Sequence, residues 1–187
     1  MGRVFHFSLK AGIVDYLLIV RNRTEDMMVK MHWVITSDLS KITLDEFDNE
    51  WNGAVYGFFE LCINNRKEGI WPDKTEMDAL IEIGMADMED ILYWFVHLKE
   101  GINVVKKNKE YEMQLLTMNR YSLKMELKHE LYLKFINIET GENNWDERVE
   151  LEEFENELYV NIEKLLNYIK RTNSRLLKSK WIEELLL

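Results

Sequence analysis

One proline, Pro72, and one cysteine, Cys62, occur in the 187 residues. With so little proline and no Gly/Ser-rich run, no flexible linker divides the chain, and residues 1–187 read as one domain. A lone cysteine excludes an intramolecular disulfide; flanked by Phe58, Phe59, Leu61 and Ile63, Cys62 reads as a buried thiol of a cytoplasmic protein. Long apolar runs are also missing. The opening stretch "MGRVFHFSLKAGIVDYLLIVRN" is interrupted by Lys10 and Asp15, so neither an export signal nor a membrane span is expected. Positive charge is scarce: the net charge is −10, and residues 1–105 carry 10 Lys+Arg against 18 Asp+Glu. That balance disfavours nucleic acid as a partner and favours a basic protein.

The residue patterns that announce catalysis are missing as well. His6, His32, His97 and His129 are scattered singly, with no HxH, HExxH or Cys/His spacing, so no metal site is expected. His6 and His32 could share the polar face of a sheet, but edge histidines without a role are the simpler reading. His129 falls at a turn, and His97 in an apolar run suits a structural histidine with its hydrogen bonds satisfied. There is no GxSxG elbow, no GxGxxG and no Walker pattern, so neither a catalytic residue nor a cofactor is expected.

What is present is periodicity. Phe5, Phe7 and Leu9 alternate with polar residues, as do Val29, Met31, Trp33 and Ile35. So do Tyr111, Met113 and Leu115; Leu123, Met125 and Leu127; and Leu131, Leu133 and Phe135. Period-two alternation of this kind predicts antiparallel hairpins with one apolar face. "IVDYLLIVRN" is apolar on both faces and suits a central strand. Residues 42–51, "ITLDEFDNEW", share five of ten positions with residues 149–158, "VELEEFENEL". Each continues into an apolar stripe at helical spacing: Phe47, Trp51, Val55, Phe58 and Cys62 in the first, Phe154, Leu158, Ile162, Leu165 and Ile169 in the second. Thr43 with Glu46 forms a capping box for the first helix, whereas the second has Glu150 at that place, a poorer cap.

With the echo of "SLKAGI" in "HLKEGI", these patterns predict an α+β fold: a mainly antiparallel sheet with helices packed on one face. They also predict duplication of a strands-then-helix unit over about 1–69 and 90–173. A connector over 70–89 begins as a helix capped by Asp73 and Glu76 and is interrupted at Gly84. "ILYWFVHL" (91–98) is read as a buried strand, and residues 174–187 as a short terminal helix spacing Leu177, Trp181 and Leu185 by four.

Both acidic runs open helices, where the helix dipole stabilises carboxylates by about 0.3–1 kcal/mol each. Functional interest therefore falls on the unshared features: Gly53 and Gly57 in the first copy, suggesting a close backbone approach, and the acidic loop "ETGENNWDER" before the second. The expected activity is non-enzymatic: an acidic protein that sequesters or inhibits a basic protein partner, as immunity proteins and antitoxins do. Trp145 would anchor the partner, with Asp146, Glu147, Glu150 and Glu152 steering it. One alternative is an enzyme or small-molecule binder with a pocket between the halves, lined by Trp51, Tyr56, Trp94 and His97. Another is a homo-oligomeric structural protein joined through the C-terminal tail.

Overall fold

The computed structural model describes residues 28–107, 109–116 and 120–186. The strands expected at Phe5–Leu9 and in "IVDYLLIVRN" lie outside them, as does His6. The described chain is α+β, with two four-stranded antiparallel sheets and helices between and beside them. In the first sheet β1 (Val29–Ile35) pairs with β2 (Tyr56–Ile63), and β2 with β3 (Arg66–Ile70). The two-residue β4 (Glu89–Asp90) joins the start of β2. The second sheet runs in chain order: β5 (Tyr111–Gln114), β6 (Tyr121–Leu127), β7 (Leu131–Asn137) and β8 (Asn143–Val149).

Helix α1 (Leu44–Asn49) lies between β1 and β2, and α2 (Lys74–Glu82) between β3 and β4. Then come α3 (Ile91–Val105) after β4 and α4 (Leu151–Asn173) after β8. A 3-10 turn (Ser174–Lys178) leads into α5 (Lys180–Leu186). Among these helices none is long and apolar enough to cross a membrane.

The two similar decapeptides start helices at aligned positions, Leu44 and Leu151, and then part company. The expected long first helix is six residues, and its supposed apolar stripe is divided between α1 and β2. Asn52 (φ 52°) and Gly53 (φ 78°) turn the backbone left-handed, which no helix can continue. Val55, Phe58 and Cys62 consequently fall in or just before a strand. The second copy has Tyr159 and Val160 where the first has Asn52 and Gly53, and its helix runs for 23 residues. Its stripe of Phe154, Leu158, Ile162, Leu165 and Ile169 is buried as expected.

The segment 91–98 is the start of a helix rather than a strand. Asp90 caps it, its Oδ1 accepting from the amides of Leu92 (3.0 Å) and Tyr93 (3.2 Å), and also from Val55 (3.1 Å). Its unbroken hydrophobicity reflects its place: α3 packs on β2 of one sheet and on β5 and β6 of the other. Trp94 stacks on Phe59 with centroids 4.6 Å apart, and Gly101 lets the helix approach Met125 and Tyr111. A single apolar core runs through both sheets and around this helix.

"GENNWDER" likewise contains a strand. Across the second sheet Met113, Leu123, Phe135 and Trp145 are successive register partners and form one interior row, in which Trp145 stacks on Phe135. Period two then places Glu147 and Val149 on the same face and turns Asp146 and Arg148 outward. Glu147 suits that face because it lies at the seam between the sheets, where it accepts from Asn64 Nδ2 (2.9 Å) and Arg66 Nε (3.3 Å).

Candidate functional site

Trp145 is only 8 % exposed, and its Nε1 donates to Glu68 Oε1 at 2.6 Å. It is a core residue tying β8 to β3 and cannot be an exposed partner anchor. Glu147 is engaged in the same seam, while Asp146, Glu150 and Glu152 are exposed around the start of α4. Glu150 makes no side-chain cap, as its identity led us to expect.

The residues expected to line one pocket are dispersed. Trp94 is buried against Phe59, with its Nε1 donating to Glu89 Oε2 (3.1 Å). Trp51 and Tyr56 pack on each other with ring centroids 6.1 Å apart, and of the four only His97 lines the cavity. This cavity, of about 720 Å³, lies between α3, α5 and the Asn52–Gly53 turn. His97 Nδ1 lies 2.6 Å from the Tyr111 hydroxyl, which donates its own proton to Glu100 Oε2 at 2.7 Å. Since that proton is committed, Nδ1 carries the hydrogen, and in the neutral ring Nε2 is the free lone pair. Burial and then the Glu100 hydrogen bond push the Tyr111 hydroxyl well above the usual phenol range, so it stays protonated. Asp90 on the cavity wall is raised by burial despite its three backbone donors, and Lys99 is lowered by burial.

Lys99 also holds the tail, donating to the carbonyl of Leu185 at 2.7 Å. Leu176, Ile182 and Leu185 are buried in their own fold, and Trp181 lies against Gly53 with its Nε1 on Asp48 O (3.2 Å). The tail expected to join copies of the chain therefore turns most of its apolar surface inward. Both glycines do mark close approaches, though not on a helix: Gly53 under Trp181, and Gly57 against the Val34 carbonyl and Ile91.

The surface that sequence reasoning passed over is α2 and its exit. None of its residues is buried. Asp73 caps it in a full capping box with Glu76, as expected, and Gly84 (φ 71°) follows its end. Asp73, Glu76, Asp78, Glu82 and Asp87 stand against a single cation, Lys74, over residues 73–87. On the same segment Ile81, Ile83 and Met85 are 48 %, 65 % and 58 % exposed. The sequence signal was available: a capped helix without the wide apolar stripe that docks a helix on a core. Comparison with protein families, with curated proteins and with solved structures returned no match.

Proposed function

We propose that this is a non-enzymatic, cytoplasmic acidic protein that sequesters a basic protein partner in the manner of immunity proteins and antitoxins, with α2 and residues 83–87 as the contact. The observation that carries this reading is the helix without a buried face, which together with its exit combines carboxylates with three exposed apolar side chains, Ile81 on α2 and Ile83 and Met85 just after it. Carboxylates steer a cationic partner from a distance and favour it over acidic competitors, while desolvated apolar anchors hold it. The start of α4 offers Asp146, Glu150 and Glu152 but no exposed aromatic once Trp145 is interior, so it is the weaker platform. Affinity capture from the native cell, repeated with Glu76→Lys, Asp78→Lys and Glu82→Lys combined, tests the placement. The expected result is a basic protein retained by the wild type, released by salt, and lost from the variant but kept by Glu150→Lys with Glu152→Lys. Equal retention by both variants, or indifference to salt, overturns it.

A second reading, a small-molecule site, rests on the cavity beside α3 and the oriented His97 within it. His97→Ala should then abolish thermal stabilisation by any small ligand that stabilises the wild type. Retained stabilisation would exclude the cavity.

A further inference from the structure

The outer face of the first sheet carries a second chemical grouping, unrelated to α2. Residues at even positions of β1 and β2 point away from the core formed by Val29, Met31, Phe59, Leu61 and Ile63. Register then places His32 directly opposite Glu60, and Lys30 opposite Cys62. One ligand atom from each of His32, Glu60 and Cys62 lies within 4.8 Å of the other two. Around a four-coordinate zinc ion, bond lengths of about 2.0–2.3 Å set ligand atoms about 3.3–3.6 Å apart, so side-chain adjustments of about an ångström would close the set. On the β3 side Glu60 faces Gly69, which contributes no side chain to the site.

We propose that His32, Glu60 and Cys62 form a three-ligand site for a single transition-metal ion, zinc by the chemistry of the set, with a fourth position left for water or another ligand. Thiolate and imidazole together select zinc or cobalt over magnesium or calcium, which require oxygen ligands. Two of the ligands are buried, which limits their freedom before binding, and His32 is exposed, which leaves an entry path. Among the described residues of these strands, the charged groups beside the three ligands on this face are Lys30 and Lys67, both register partners of Cys62. Lys67 holds Glu60 Oε2 at 3.0 Å in an ion pair that the metal would replace; its side chain is 66 % exposed and can swing into water. On binding, the Cys62 sulfur gives up its proton to solvent and forms the metal–sulfur bond.

Sequence reading missed this grouping because it is assembled across strands, from residues 28 and 30 positions apart, with no ligand spacing along the chain.

The test is titration of the full chain with Zn²⁺ and Co²⁺. The expected results are one ion per chain, a thiolate-to-cobalt charge-transfer band with the strong visible absorption of four-coordinate cobalt, and zinc protection of Cys62 from a thiol reagent. His32→Ala and Cys62→Ser should each weaken zinc binding by at least about tenfold, on the scale of lost metal-site contacts. His32 is exposed, so its variant keeps the fold even if the Cys62 variant does not. A weak six-coordinate cobalt spectrum without the thiolate band, unprotected Cys62, or wild-type zinc affinity in His32→Ala overturns the proposal.

Discussion

Glu68 shows how one carboxylate can reverse the ordinary effect of pH. Burial raises its pKa to about 7 from the ordinary 4.5 of a glutamate, although the Trp145 indole donates to it. The folded form therefore binds this proton more tightly than the unfolded chain. The stability this group contributes is full below about pH 4.5 and is lost as pH rises through about 7. Glu68→Gln keeps an acceptor for Trp145 without the buried charge. At pH 8 it should stabilise the protein by about 2–3 kcal/mol, since about 2.5 pH units at 1.36 kcal/mol each set a ceiling of about 3.4 that partial exposure of the carboxylate lowers by screening, and near pH 4 it should change little. Denaturant unfolding at the two pH values checks this; equal effects at both would refute it. Cys62 is displaced as well: burial, with Glu60 beside it, pushes its thiol to about 11, so without a metal it should react slowly with thiol reagents at neutral pH.

Among the elements, α4 and β1 fit each other by arithmetic. Four residues of helix advance about 6 Å and two residues of strand about 6.6 Å, so side chains at i, i+4 and i+8 of one can meet positions i, i+2 and i+4 of the other. Glu153 Oε1 accepts from Val29 N (3.1 Å), Glu157 Oε1 from Met31 N (3.1 Å), and Asn161 Oδ1 from Trp33 Nε1 (3.0 Å). Two acids of the repeated decapeptide thus close the free edge of a sheet, a use beyond the helix-start role their position suggested. Glu157→Ala leaves an amide in a half-buried setting unsatisfied and should cost about 1–2 kcal/mol, with faster hydrogen exchange at Met31. Unaltered exchange there would show that the contact stabilises nothing. Gly53→Ala should cost at least about 1 kcal/mol, because its φ of 78° disfavours a side chain and the new methyl would meet the Trp181 ring. A shift in tryptophan fluorescence should accompany the loss.

For the molecule as a body, the tail is part of the fold rather than an appendage. Removing residues 174–187 would delete buried Leu176, Ile182 and Leu185, each contributing about 1.5–3 kcal/mol by burial, and would leave the Lys99 ammonium without its carbonyl. The expected outcome is a loss of several kcal/mol and a scattering increase from aggregation. A stable, well-folded truncation that merely changes from oligomer to monomer would instead restore the tail as a contact between copies. The acidity of the whole chain sets the behaviour of the α2 surface: capture of a cationic protein should weaken steeply from low to physiological salt, since exposed charges are screened over about 8 Å at 0.15 M.

The alternating apolar residues of β1 and β5–β7, the two capping boxes and the long stripe of α4 were legible in the chain because each depends on neighbours within a few residues. Three features depended on distant partners and were not. Segment 91–98 is apolar all round because it is covered by two sheets, and a short apolar run has the same composition whether it is strand or helix. Residues 143–149 look like a polar loop because Glu147 meets Asn64 and Arg66 across a seam, and Trp145 hides beneath them. The first copy of the repeat carried helical spacing that Asn52 and Gly53 cancel, since a left-handed turn lets β2 form between β1 and β3 and bury both of its faces. Composition had set the acidity, and local periodicity the fold class. Long-range pairing chose which acids close an edge, which gather with His32 and Cys62, and which remain exposed on α2.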